Sequence, residues 1–367
     1  MLDQNKLYYQ IALSFIPNVG DIIAKSLLSY CGSAEKIFST PKSKLLKIPD
    51  IGEKTANDIL NKTFFNRVDL EIEFINKYQI QTLFFTDAFY PQRLKECIDS
   101  PILLYYKGNA DLNQEKIISI VGTRNATDYG KGFIKKLCED LTHENILILS
   151  GLAYGIDTYA HRFALENNIQ NIGVLGHGMQ TIYPAQNKAL AKQMLSHGGL
   201  LTEFASQHTL LPSNFPRRNR IVAGMCDAII VVESAMKGGA LITANIANSY
   251  NKDVMALPGN YNSKFSMGCN FLLKTHKATI IENATDLLKL MAWSTPKKKP
   301  MAQKELFLEL NKLEFKIVSQ LKEFEIIDID YFIKLQLATP GELATCLLEL
   351  EFKGIVFSLP GKRYKLA

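Results

Sequence analysis

The stretch Phe215-Pro216-Arg217-Arg218-Asn219-Arg220 sets three arginines within four residues, and a fourth, Arg124, follows Gly122-Thr123. A guanidinium is always charged and presents a planar fork of donors that matches phosphate oxygens. Gly122, Gly151 and Gly155, and then the pair Gly238-Gly239, interrupt or follow apolar runs. Glycine at such exits lets an anion approach backbone N–H groups at a helix start. Several cations beside several glycine exits fit a polymer of phosphates better than a single phosphate. Residues two apart on a helix point in different directions, so of Arg217, Arg218 and Arg220 one or two are expected to meet the ligand and one to support the fold.

Other chemistries find less support. After the first strand a hydride-transfer enzyme needs GxGxxG, whereas here the sequence is Gly122-Thr-Arg-Asn-Ala-Thr. A Walker loop is absent, and no His or Cys spacing indicates a metal site. Glu203 and Glu233 both follow strand ends, which leaves paired-carboxylate hydrolysis as the alternative. Asp157 stands where it can bond the N–H groups of its own helix, and His161 reads as a structural histidine. Tyr183 offers either a stacking platform for a base or a packed loop ring.

The elements that position these residues alternate regularly. Strands are expected at 117–121, 146–150, 172–175, 199–202, 228–232, 253–257 and 278–281, as short apolar β-branched runs. Helical patterns fall near 129–142, 156–168, 185–196, 215–225 and 239–250. Such alternation predicts an α/β domain with a doubly wound, Rossmann-like parallel sheet, whose ligand lies at the carboxyl ends of the strands. The lead-in segment has a helical stretch at 68–76, a strand at 81–86 and an edge strand at 102–106.

An internal repeat occupies the first sixty residues: Ile16-Pro-Asn-Val-Gly20-Asp-Ile-Ile-Ala24-Lys-Ser-Leu-Leu28 matches Ile48-Pro-Asp-Ile-Gly52-Glu-Lys-Thr-Ala56-Asn-Asp-Ile-Leu60. Each copy resembles a helix-hairpin-helix element with one glycine instead of two, which favours a structural or protein-contact role over a phosphate grip. The expected domains are 1–65 (hairpins, SAM-like), 66–293 (α/β with its lead-in), a lysine-rich linker at 294–304, and 305–367. The last holds helical patterns at 305–322, 328–335 and 340–352 and two strands around Pro360-Gly361, a winged helix. Its seven Lys and one Arg against eight Glu and two Asp leave it net acidic, which favours protein contact over duplex reading.

Composition agrees with an ordinary globular chain of 367 residues, 47% hydrophobic and 21% charged, with a net charge of +6. Six scattered cysteines fit reduced thiols. The first ten residues lack a signal-peptide pattern and no apolar run reaches membrane-spanning length, so a cytoplasmic protein without a membrane partner is expected.

SIVGTRNATDYG, ILSGLAYGIDTYAH, GVLGHGMQTIYPAQN, TEFASQHTLLPSNFPRRNRIVAG, VVESAMKGGALITANIA and VMALPGNYNSKFSMGCNFLLKTHKATII, in that order, resemble the DprA (Smf) family of DNA-processing proteins. The resemblance implies a non-enzymatic protein that binds single-stranded DNA, loads RecA on it in natural transformation, and forms a homodimer, with single-strand-binding protein a further partner and no cofactor. It places DNA contacts on Gly122, Thr123, Arg124, Ser150, Gly151, Gly155, Arg217, Arg218, Asn219, Arg220, Gly238, Gly239 and Thr243, with Asp157 and His161 in the same motifs. The family's dimerising segment falls on Asn270 to Ala278, with Phe271, Leu272 and Leu273 as interface residues. The family's SGSLIT is here Gly238 to Thr243 without two of its hydroxyls. Ala185 stands where some relatives carry a DNA-contacting lysine, with Lys188 as a substitute. The competing class is a nucleotide 5'-monophosphate phosphoribohydrolase (lysine-decarboxylase-like), which shares a related core but whose PGGxGT context is missing.

Overall fold

The computed structural model describes residues 4–293, 310–324, 326–359 and 361–366. The chain divides into two units, 1–295 and 296–367.

The first unit begins with six helices, α1 (Gln4–Phe15), α2 (Asp21–Cys31), α3 (Ala34–Ser39), α4 (Lys42–Leu45), α5 (Glu53–Asn61) and α6 (Phe65–Tyr78). The sequence repeat is a repeat of conformation. Asn18 and Asp50 both take positive φ, at 61° and 62°. Gly20 and Gly52 are then extended N-caps of α2 and α5. The matched Ala24 and Ala56, and Leu27 and Ile59, are buried in a core that also takes in Ile102, Leu103, Tyr105 and Ala205.

Strands β1 (Gln81–Phe84) and β2 (Leu103–Gly108) flank the short α7 (Gln92–Lys95). The alternating region follows: β3 (Lys116–Val121), α8 (Asp128–Leu141), β4 (Ile146–Ser150), α9 (Ile156–Glu166), β5 (Asn171–Val174), α10 (Lys188–Met194), β6 (Gly198–Thr202), α11 (Asn214–Gly224), β7 (Ala228–Val231), α12 (Gly239–Ser249), β8 (Asp253–Ala256), α13 (Met267–Lys274), β9 (Thr279–Ile280) and α14 (Ala284–Leu290). They form one nine-stranded sheet of order β1-β2-β6-β5-β4-β3-β7-β8-β9, parallel from β6 to β9. The expected edge strand is corrected. β2 lies between β1 and β6, antiparallel to both, and β1 takes the edge. Pro101 precedes β2, so it removes no ladder donor from a strand paired on both sides.

Helices cover both faces of the sheet. Ile117 and Val121 of β3 join Ile229 and Val231 of β7 in one core, and Ile118 and Ile120 join Ala228 and Ile230 in the other. This period-two division is what a strand buried on both faces requires. The winding runs outward from β3 through β4, β5 and β6, then returns to begin again at β7 on the other side of β3. The gap beyond the ends of β3 and β7 is therefore the topological switch point, where doubly wound sheets place ligands.

The second unit comprises α15 (Lys312–Glu323), β10 (Ile327–Asp328), α16 (Ile329–Lys334), α17 (Pro340–Phe352), β11 (Val356–Leu359) and β12 (Arg363–Leu366). Its antiparallel sheet has the order β10-β12-β11. Ile317, Phe332, Leu343, Leu347, Leu350 and Val356 make its core. Asn311-Glu314 and Thr339-Glu342 form capping boxes at α15 and α17. The linker expected at 294–304, and the first residues of the helix expected from 305, lie outside the described residues.

Candidate functional site at the switch point

Beyond the ends of β3 and β7 opens a cavity of about 710 Å³ whose lining includes Gly122, Thr123, Arg124, Gly151, Arg218 and Asn219 on one side. Gly238, Gly239 and Thr243 close it from the start of α12. Nine of the thirteen residues expected to contact a ligand thus meet in one place. Tyr183, Phe215, Phe265, Lys237 and Lys264 line the same space.

Arg124 is exposed, with its guanidinium 5.8 Å from the centre of the Phe215 ring. It makes no ion pair among the described residues, so its charge is open to a ligand. Arg218, by contrast, is buried beneath the cavity. Its Nη1 donates to the carbonyls of Gly151 and Val174, tying together the exits of β4 and β5. Burial pushes its pKa down to about 10, against the upward pull of Asp157 and with a further downward push from Arg124. A Cβ on Gly151 would come within 2.5 Å of the Arg218 Cζ, so this glycine makes room for a guanidinium.

Asp157 is the counter-charge. Its Oδ2 accepts from the N–H groups of Gly151 at 3.1 Å and Ala153 at 3.3 Å. Burial raises its pKa, opposed by Arg218 and by those two N–H groups.

Two helix starts expected to hold phosphate are closed by the chain itself. Thr127 caps α8, its Oγ1 accepting from Gly130 N–H, and buried Glu233 braces that cap: Thr127 N–H donates to its Oε2 at 2.9 Å and Thr127 Oγ1 to its Oε1 at 2.5 Å. A carboxylate already sits where an anion would bind. At α9, the Ile156 N–H donates to the Thr123 carbonyl at 3.1 Å. The start of α12 differs. Gly238 caps it without any side-chain bond, and Gly239 faces open space. The first turn of a helix has N–H groups without intrahelical acceptors, and those of Gly239 and Ala240 stand at the cavity wall.

Four expected contacts lie elsewhere. Ser150 is fully buried and its Oγ donates to the Ile120 carbonyl at 2.7 Å. Gly155, at φ 75°, packs on the backbone of Thr123 and Arg124, where a Cβ would collide with the Thr123 carbonyl oxygen; it holds the Arg124 loop and does not line this cavity. Arg217 pairs with Glu203 at 2.9 Å and lies over Phe204. Arg220 is buried between Glu203 at 2.5 Å and Asp21 at 3.0 Å. The residues diverge as helical spacing dictates: Arg220 fastens α2 of the hairpin repeat to α11, while Arg218 braces the strand exits. Lys188 and Ala185 together line a neighbouring apolar groove with Phe74, Ile182 and Leu195, outside the switch-point cavity. Of the three expected interface residues only Phe271 is exposed; Leu273 is half-buried and Leu272 is fully buried in the core.

Lys237, Lys264 and Phe265 escaped the sequence reading. Lys237 carried a faint signal as a basic residue beside Gly238. Lys264 carried none, because its loop reaches the cavity through a tertiary bond, Ser234 N–H to the Phe265 carbonyl at 2.6 Å.

His161 is buried and bonded through Nδ1 to Asn171 Oδ1 at 2.9 Å, and burial lowers its pKa to about 4. In the unfolded chain it takes up a proton near its ordinary value, so folded stability is complete above about pH 6.5 and falls as pH drops toward 4. The expected loss is about 3 kcal/mol from this residue. Urea denaturation between pH 7 and 4 measures it, and His161→Gln should flatten that part of the profile.

The molecule is thus a doubly wound α/β protein with a cationic, aromatic-lined cavity at its switch point. The family model described as DNA recombination-mediator protein A matches residues 81–292, and a helix-hairpin-helix motif model matches 11–71. The chain belongs to the DNA recombination-mediator protein A family. It is 33% identical to Protein Smf of Escherichia coli over 76% of this chain and 75% of that one. It is 32% identical to the DNA processing protein DprA of Bacillus subtilis over 69% and 86%. The solved structure of DprA from Streptococcus pneumoniae superposes with a TM-score of 0.67 at 30% identity, covering 79% of this chain and 98% of that one. A Helicobacter pylori DprA structure, described for its single-stranded DNA binding mode, gives 0.53 at 27% identity over 58% and 96%.

Proposed function

We propose that this protein binds single-stranded DNA in the switch-point cavity, with little sequence preference, and acts as a recombination mediator that loads RecA on DNA taken up in transformation. The observation that carries the binding is a meeting in one recess. Arg124, Lys237 and Lys264, none of them ion-paired among the described residues, join the open start of α12 and three aromatic rings there. The cations and N–H groups suit a phosphodiester backbone. Tyr183, Phe215 and Phe265 suit bases, and only unstacked bases can enter a recess to reach them. The single-stranded DNA binding mode of the Helicobacter pylori relative and the recombination-mediator role of the family support the same reading.

The role is binding and not catalysis. Glu203 is held by Arg217 and Arg220 and Glu233 by Thr127, which speaks against paired-carboxylate hydrolysis by these two residues. The second unit, with its helix–strand–helix–helix–strand–strand order, is read as a winged helix serving protein contact, since Glu342, Glu349 and Glu351 stand on α17. A homodimer through the face carrying Phe271 completes the proposal.

Titrating the purified protein with labelled oligo-dT and with duplex of equal length tests it. Single strand should bind at least tenfold more tightly; equal affinity for the two contradicts the recess argument.

A further inference from the structure

The switch-point cavity is not the end of the cationic surface. Arg124 also lines a second depression of about 550 Å³, formed with Asn125, Lys131, Tyr154 and Tyr159 on the outer side of the Gly155 turn. Two cations converge on one of its lining rings: Lys131 Nζ lies 5.3 Å from the centre of Tyr159, and Arg162 Cζ, beside the depression and not in its lining, 5.4 Å. Tyr159 is backed by Phe163, stacked at 5.9 Å. Asp128, fully open to solvent, reaches Lys131 at 2.9 Å; Arg162 has no acidic partner among the described residues. Tyr154 is 39% exposed, with its hydroxyl fixed on Gln186 Oε1 at 2.6 Å, so the side chain is anchored at its tip.

We infer that this depression is a second subsite for the same single strand, so that the backbone passes from the switch-point cavity over Arg124 and onto Lys131 and Arg162, with a base against Tyr154. The inference rests on the proposed single-strand binding. Its physical basis is continuity: Arg124 borders both spaces, and a polymer that satisfies it on one side meets the Tyr159 cations on the other. Cation–π contact with Tyr159 holds Lys131 and Arg162 beside one another, where both can meet successive phosphates of one strand. The ligand class is a phosphodiester chain long enough to span both spaces. A mononucleotide or very short oligonucleotide would occupy the first cavity alone.

The test is the length dependence of binding by full-length protein, using oligo-dT of about 4 and about 16 nucleotides. In Lys131→Ala/Arg162→Ala the longer strand should lose at least fivefold in affinity, and its salt slope should become shallower by about 1.4, from two lost phosphate contacts at about 0.7 each. The loss on the shorter strand should be smaller than twofold. Lys131→Arg/Arg162→Lys, which keeps both charges, should restore most of the long-strand affinity. Equal losses on both lengths, or none on either, would overturn the second subsite while leaving the first cavity standing. If the unaltered protein binds neither length, the reading of the first cavity fails and takes this inference with it.

Discussion

Replacing Arg124 by alanine should weaken oligo-dT binding by roughly 10- to 100-fold at moderate salt while leaving thermal stability within about 0.5 kcal/mol of the parent. The two halves of this expectation come from the same geometry. Arg124 is exposed and has no acidic partner among the described residues, so folding gains little from it. Its guanidinium sits where two cavities meet, and a hydrogen bond to a charged group contributes about 1.5–3 kcal/mol. Equilibrium titration of the variant, alongside its melting curve, checks both. The loss should be uniform across sequences, since phosphate contacts carry no sequence information.

Arg218→Ala should behave in the opposite way, with a drop in stability that overshadows its effect on DNA. Removing a buried guanidinium that offsets a buried carboxylate and satisfies two buried carbonyls costs about 3–5 kcal/mol. Asp157 would lose its counter-charge, and the Gly151 and Val174 carbonyls would lose their donor. For the first unit this should lower the melting temperature by about 10 °C, with Arg218→Lys in between because it restores charge but not the forked geometry. Calorimetry on the two variants measures the effect. Any loss of affinity in Arg218→Ala should be accompanied by loss of structure at the exits of β4 and β5, read by amide exchange at Gly151 and Leu175.

The difference between these two arginines shows what was legible in the sequence. Strand and helix order could be read because buried strands leave short β-branched runs, and a site at the carboxyl ends of the strands followed from the alternation; the switch point needed the strand order. The hairpin repeat was legible down to its glycine caps, since Gly20 and Gly52 repeat in type and conformation alike. Helical spacing foretold that Arg218 and Arg220 would part company. It could not say that Asp21, some 200 residues earlier, would take one of them. Nor could sequence show that Glu233 fills the start of α8: a carboxylate after a strand looks the same whether it faces ligand or backbone. Gly151 and Gly155 were read as openings for an anion, yet they make room for Arg218 and for the Arg124 loop. Glycine reports close approach, and only the fold says what approaches. Lys264 was invisible because its loop is placed by contacts made far away in the chain.

The salt dependence of oligo-dT affinity tests the central claim most directly. For a strand of about 4 nucleotides, which occupies the first cavity alone, if Arg124, Lys237 and Lys264 each neutralise a phosphate, the logarithm of the association constant should fall with the logarithm of salt concentration at a slope of about −2, and by about 0.7 less in Arg124→Ala. A slope near zero, or an identical slope in the parent and Arg124→Ala, would contradict it.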